Sequence, residues 1–358
     1  MPQLGGGGGE RVMSILLNNI DRKLYEPNLV IIKKNGDNDF LRNLKDDVEI
    51  HYLDISKPIR LSFLLIIYKL IKLTIKNKVD ILFFGSGQIN ALFSPFLFLF
   101  PNRCKTVARE SNIPTQFENF FILKLFYKYF YKNYDKVIVQ SDDMFFDLNS
   151  NFNIPISKLI KINNPVDVSF VKSKLNSKDI ALFPEGKYNI LLAGRLTYQK
   201  GFDLFLNKIA EIKDVNFHVT ILGDGEDKLS LLELVDTLNL KDKTSFKGNV
   251  DNPYEYMQKA DLFILSSRFE GFPNVVLEAL CCGTPVLSNN CLGGINEIVK
   301  PGFNGDIFTY DSNDFKNKLK QISIASFDSE ILHKDIFDRF SVDKKIKSFE
   351  SVFKSLYY

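Results

Sequence analysis

The chain reads as an α/β protein of two domains, each a parallel sheet with helical crossovers. Three observations predict this. Short apolar runs suited to strands alternate with helical patterns along the whole sequence, the signature of β–α–β units. At 358 residues, with 45% hydrophobic and 25% charged residues, the chain is long enough to bury two cores of ordinary globular composition. A polar stretch from residue 168 to about 187 divides the two alternating halves and reads as a linker.

Taken in order, the strands expected in the first half are residues 29–33, 49–53, 80–84, 105–109 and 136–140. Between the last two lies a helix over residues 120–132, apolar around most of its circumference. Lys124, Lys128 and Lys132 are spaced four apart on it and form one stripe. In the second half the expected strands are residues 188–193, 217–222, 244–247, 261–266 and 285–288. After the strand at 261–266, Gly271 and Pro273 punctuate a turn, and Asn274 can cap a helix running to about Cys282, stopped by Gly283 and Pro285. Glu270 is therefore expected in a strand-to-helix loop and Glu278 about one turn inside the helix. Ligands of open α/β sheets bind beyond the carboxyl ends of the strands, so this loop and helix start should wall a site. Free N–H groups near Asn274 and Val275 suit a phosphate. The two carboxylates suit the hydroxyls of a sugar and a ribose.

Charge is distributed unevenly. Residues 1–165 hold 22 Lys and Arg against 16 Asp and Glu, while the remainder holds 24 against 27. Between residues 57 and 136 only Asp80, Glu110, Glu118 and Asp135 oppose a run of basic residues interleaved with Phe, Tyr, Leu and Ile. Two readings stay open: an interfacial surface facing anionic lipid and a lipid-linked acceptor, or a core helix with one solvated stripe. Nucleic-acid binding is not expected, because no binding module is recognisable. Cys104, Cys281, Cys282 and Cys291 lack metal-type spacing and read as reduced, small apolar residues of a cytoplasmic protein. His51, His218 and His333 read as structural. The densest apolar runs, residues 61–67 and 91–100, are too short to span a bilayer.

The stretch Arg268-Phe-Glu-Gly-Phe-Pro-Asn-Val-Val-Leu-Glu278, followed by Gly283-Thr284-Pro285-Val286, resembles retaining glycosyltransferases of family 4. That resemblance implies the GT-B fold, in which two Rossmann-like domains face each other across a cleft. It covers essentially the whole chain and is most specific over residues 191–305. It implies that Glu278 binds the ribose of a nucleotide-sugar donor, that Glu270 contacts the transferred sugar, and that Gly271, Phe272, Asn274 and Val275 complete the donor wall. Gly194-Arg195-Leu196 followed by Lys200-Gly201 matches the family pattern in which the arginine and lysine grip the donor diphosphate. As the glycosidic bond breaks, the leaving nucleoside diphosphate gains negative charge, and fixed cations stabilise it. Gly223 and Gly225, and the run Lys247-Gly248-Asn249-Val250, resemble family loops beside the nucleotide, and Cys291-Leu292-Gly293-Gly294 resembles a glycine-rich loop near the donor. The domains implied are residues 1–167 for the acceptor, 168–340 for the nucleotide sugar, and 341–358 as a helix returning to the first domain.

The first domain departs from the family pattern twice. Gly5–Gly9 resembles the glycine-rich loop opening the first helix, which makes Gly8 and Gly9 acceptor-side candidates. Only four residues precede that loop, so either the true start lies upstream or the first sheet lacks its initial strand. Where many members carry a histidine after the fourth strand, this chain has Arg109-Glu110-Ser111-Asn112, similar to a loop of polyprenol-linked N-acetylhexosamine transferases. Arg109, Glu110 and Asn112 are the resulting acceptor candidates, none of them assigned as a base. With no evident nucleophile, the resemblance fits front-face displacement, in which a donor phosphate oxygen helps deprotonate the acceptor. Arg195 and Lys200 would stand in for a metal, so neither metal nor cofactor is expected, and Asp37-Asn38-Asp39 reads as a solvated loop. The expected substrates are a nucleotide sugar, preferably UDP-linked, and a lipid-linked saccharide, met on the cytoplasmic face of the inner membrane during O-antigen or capsule synthesis. A nucleotide-sugar 2-epimerase and a catalytically silent partner subunit are the competing readings. A dinucleotide oxidoreductase is suggested by the glycine run alone, with no strand before it.

Overall fold

The computed structural model describes residues 1–33, 39–59, 61–175, 182–310 and 313–357. The chain divides into two compact units, one comprising Met1–Pro165 with Val342–Tyr358, the other Val166–Ser341.

In the first unit, β1 (Asn28–Ile31) pairs in parallel with β2 (Glu49–Tyr52). A four-stranded parallel sheet follows in the order β3 (Ile81–Phe84), β4 (Lys105–Arg109), β5 (Lys136–Val139) and β6 (Leu159–Lys161). β4 and β5 carry Val107, Val137 and Ile138 fully buried, as strands covered on both faces must be. Residues 1–4 lie along β1, where the Met1 carbonyl accepts from the Ile32 N–H at 2.9 Å and the Pro2 carbonyl from the Lys33 N–H at 3.1 Å. Leu4 is buried in the same cluster as Val107 and Ile138. The helix Val342–Lys354 belongs to this unit: Phe349 and Phe353 stack edge-on against Phe83, at 6.2 and 5.7 Å between ring centres.

In the second unit six parallel strands, β7 (Tyr188–Ala193), β8 (Phe217–Leu222), β9 (Thr244–Gly248), β10 (Leu262–Leu265), β11 (Val286–Asn289) and β12 (Gly305–Phe308), lie in the order β12-β11-β10-β7-β8-β9. The chain steps outward from β7 to β9, returns to β10 on the other side of β7, and steps outward again. That is the doubly wound order, and the reversal leaves a crevice beyond the carboxyl ends of β7 and β10. Two hydrophobic clusters cover the sheet, one containing Phe263, Leu277 and Ile295, the other Ile190, Phe205 and Phe315. The α/β class with parallel sheets agrees with the sequence reading. β6 and β12 are additions to it.

Candidate active site

The loops after β7 and β10 meet at the reversal point of the second sheet. After β7 the chain makes a 3₁₀ turn, Tyr198–Lys200, and enters the helix Phe202–Ala210 through Gly201 at φ +62°. A Cβ on Gly201 would lie 2.3 Å from the Ser266 carbonyl, so only glycine lets the two loops approach this closely. Ser266 Oγ donates to the Lys200 carbonyl at 2.7 Å and Gln199 Nε2 to the Phe269 carbonyl at 3.0 Å, fastening one loop to the other. Arg268 donates to both carboxylate oxygens of Asp203 at 2.7 and 2.8 Å, and its guanidinium lies 4.0 Å from the centre of the Tyr198 ring. This bidentate pair holds the Asp203 carboxyl below the usual carboxylate range.

On that scaffold Lys200 Nζ donates to Glu270 Oε1 at 2.6 Å. Ser267 Oγ donates to the same oxygen at 2.5 Å. Glu270 is only 6% exposed, and a carboxylate so far removed from water requires such partners. Its backbone is fixed as well: the Glu270 N–H donates to the Leu292 carbonyl at 2.9 Å, and a Cβ on Gly293, at φ +119°, would lie 2.1 Å from the Glu270 carbonyl. The glycine-rich loop at 291–294 therefore presses directly on the Glu270 loop. Ala193, Lys200, Ser266 and Ser267 line a small pocket at this point.

Glu278 lies on the helix Asn274–Cys281, 8% exposed. The N-cap of that helix is Pro273 and makes no side-chain capping bond, so Asn274 is the first helical residue and not the cap the sequence suggested. Phe272 turns its side chain into the core, its ring 5.9 Å from Phe340. Val275 packs partly on the same core. Arg195 is exposed and makes no hydrogen bond or ion pair among the described residues. Gly194, Gly223 and Gly248 form a row at the ends of β7, β8 and β9: Gly194 N–H donates to the Leu222 carbonyl at 3.0 Å and Gly223 N–H to the Gly248 carbonyl at 2.7 Å. A Cβ on Gly223 would lie 2.0 Å from the Gly194 carbonyl, and one on Gly225 would lie 2.3 Å from the Leu196 carbonyl. Lys247 and Asn249 project outward beside this row, with Val250 half-buried.

In the first unit Gly8 opens the helix Gly8–Asn19, and Gly9 neighbours Ser111. Arg109, at the end of β4, is fully buried. It donates to Asn164 Oδ1 at 2.6 Å, while its Nε and Nη1 have no partner among the described residues. Desolvation lowers its pKa to about 10, against the opposing pull of Glu110 and Glu10. Glu110 is 1% exposed, and its oxygens accept from Tyr131 Oη at 2.8 Å, Tyr127 Oη at 3.0 Å and the Ser111 N–H at 3.1 Å. Burial raises its pKa to about 7, although these hydrogen bonds and Arg109 pull the other way. Its carboxylate is thus engaged internally, clamping the loop that carries the half-buried Asn112. Asp37 and Asn38 lie outside the described residues, as does the side chain of Asp39.

Ser267, Gln199, Asn164 and the Tyr127–Tyr131 pair were not singled out in the sequence. Ser267 had a local signal, three residues before Glu270. The others lie 17 to 70 residues from their partners and had none.

Comparison with known proteins adds a family, two relatives and two solved structures. The profile of the family described as glycosyl transferases group 1 matches residues 173–329. The chain is 30% identical over 308 residues to an N-acetylgalactosamine-N,N'-diacetylbacillosaminyl-diphospho-undecaprenol 4-alpha-N-acetylgalactosaminyltransferase of Campylobacter jejuni, covering 82% of this chain and 80% of that one. It is 26% identical over 282 residues to the O-antigen biosynthesis glycosyltransferase WclY of Escherichia coli, covering 71% and 75%. Among solved structures, HepE of Anabaena in complex with UDP superimposes with a TM-score of 0.77 at 18% identity, covering 98% of this chain and 96% of that one. Sucrose-phosphate synthase of Thermosynechococcus elongatus does so with 0.80 at 15%, covering 98% and 94%.

Proposed function

The chain belongs to the glycosyl transferases group 1, with the GT-B fold of two Rossmann-like domains, and from that premise we propose a retaining, metal-independent transfer of a hexose or N-acetylhexosamine from a UDP-linked donor to a lipid-linked saccharide. The observation that carries this reading is the Lys200–Glu270 pair, seated where the winding of the second sheet reverses. A cation and a carboxylate at that point suit the two ends of a sugar diphosphate.

In this mechanism Arg195 and Lys200 bind the donor diphosphate, and Lys200 exchanges part of its bond to Glu270 for a phosphate oxygen. Glu270, still held by Ser267, accepts a hydroxyl of the transferred sugar, and Glu278 accepts the ribose hydroxyls. The bond from the anomeric carbon to the donor phosphate breaks while the bond to the acceptor oxygen forms on the same face. The acceptor proton passes to the departing phosphate oxygen. The two cations stabilise the charge that accumulates on the nucleoside diphosphate, which is the role otherwise supplied by a divalent ion.

The lipid-linked acceptor is supported by the name of the Campylobacter relative, the UDP donor by the Anabaena complex, and the setting in surface-polysaccharide assembly by the Escherichia coli relative. No helix among the described residues is long and apolar enough to cross a membrane, and the proposed place of action is the cytoplasmic face of the inner membrane, reached peripherally. The test is incubation with radiolabelled UDP-hexoses and UDP-N-acetylhexosamines, with and without polyprenyl-diphosphate-linked saccharides. Label moving into the lipid fraction with retained anomeric configuration, undiminished by EDTA, is the expected result. Free epimer formed without acceptor, an inverted linkage, or no transfer from any nucleotide sugar would overturn the reading.

A further inference from the structure

A water-exposed helix turns its apolar stripe inward and its polar residues outward. The first unit breaks this rule on three adjoining segments. The helix Phe63–Lys76 already buries Phe63, Ile66, Ile67 and Leu70, yet its outer face carries Leu64, 76% exposed, with Leu65 and Tyr68 beside it. The 3₁₀ segment Ser94–Leu99 leaves Phe98 79% exposed. The helix Phe121–Tyr129 buries Leu123 and Tyr127 and leaves Phe121 73% and Ile122 62% exposed. The segments adjoin: the Phe63 ring packs 5.3 Å from Phe96, and Ser94 Oγ reaches the Phe126 carbonyl at 3.5 Å.

The charged residues on these three segments have one sign. Lys72, Lys76, Lys124 and Lys128 are exposed on the same two helices. Of the four acidic residues between positions 57 and 136, Glu110 and Glu118 are buried, Asp135 is engaged by Thr106, at 2.8 Å from its N–H and 3.0 Å from its hydroxyl, and the exposed Asp80 lies off these segments, just before β3. Protruding apolar side chains ringed by lysines, with few carboxylates among them, complement a sheet of lipid whose headgroups are anionic. A second copy of the chain is a poor match, because a self-complementary contact would set lysine against lysine.

We infer that this surface of the first unit docks on an anionic bilayer, with Leu64, Phe98 and Phe121 entering the headgroup boundary and the flanking lysines meeting lipid phosphates. The inference deepens the proposed transfer to a lipid-linked acceptor by naming where the bilayer is met, and it rests on that reading for its purpose but not for its test.

The test is flotation of the full-length chain, without donor or acceptor, on vesicles of phosphatidylglycerol and phosphatidylethanolamine and on vesicles of phosphatidylcholine alone. Binding to the anionic vesicles, weakened by added salt and negligible on phosphatidylcholine, is the expected result. Lys124→Ala with Lys128→Ala should weaken it about 25-fold, at about fivefold per lysine. Leu64→Glu with Phe121→Glu should abolish it while leaving the melting temperature and its rise with UDP unchanged, which separates lost docking from lost folding. Absence of binding by the native chain, equal binding by these variants, or a dimer that the double glutamate variant converts to monomer would overturn the inference. Transfer to a short-chain soluble acceptor, measured alongside, tells the two failures apart: vesicle binding without transfer sinks the proposed reaction alone, and transfer without vesicle binding sinks the docking alone.

Discussion

Lys200 and Arg195 carry the same charge and follow the same strand, but their surroundings differ in a way that separates folding from catalysis. Lys200 donates to a nearly buried carboxylate, whereas Arg195 is exposed with no partner among the described residues. Lys200→Ala leaves Glu270 with Ser267 as its hydrogen-bonding neighbour and should cost about 2 kcal/mol of stability along with about 100-fold or more in turnover. Arg195→Ala should lower turnover on a similar scale with the melting temperature unchanged, because its guanidinium holds no other side chain or carbonyl among the described residues. Thermal melts and steady-state rates on the two variants check this, and wild-type transfer by well-folded Lys200→Ala protein would contradict the assigned diphosphate contact.

At the scale of elements, the buried network at the end of β4 predicts how stability varies with pH. Glu110 is held by tyrosines from the helix Phe121–Tyr129 and the turn after it, and burial raises its pKa to about 7. A carboxyl whose folded pKa lies above its unfolded value binds its proton more tightly when folded, so its contribution is greatest at low pH. That contribution is lost as pH rises from about 4.5 through about 7, for a total on the order of 3 kcal/mol. The native chain should lose stability over that range relative to Glu110→Gln, as measured by denaturant titration at a series of pH values, and parallel profiles would refute it. Elements with a continuous apolar stretch were legible in the sequence: β7, with Ile190–Ala193, and β10, Leu262–Leu265, lie where they were expected, because strands covered on both faces need few polar residues. β6 has three residues and β12 begins Gly-Asp, so neither stands out from its flanks. In the site, Lys200 and Glu270 were legible from local motifs, and the structure joins them. The Arg268–Asp203 clamp and the Tyr127–Glu110 bond were not, since each joins residues far apart in sequence through a topology that no local pattern contains. The inward turn of Phe272 was hidden too, because a loop lacks the period that tells inside from outside.

For the whole molecule, a ligand held by the second unit should raise stability by mass action. UDP at about 100 times its dissociation constant contributes about 2.7 kcal/mol, a rise of about 5 °C or more for a unit of this size. UDP should outperform GDP in a thermal-shift titration, and a larger shift with GDP would redirect the donor assignment. The last helix has a consequence of another kind. Ile346, Phe349, Val352 and Phe353 fill a cluster with Leu4, Val107 and Ile138, so the first unit is closed by residues made after the whole of the second. The second unit, Val166–Ser341, is contiguous and has all its strands before those residues emerge. Synthesis order and completion order are therefore reversed: the nascent first half waits with an unfilled groove until its late-made wedge arrives.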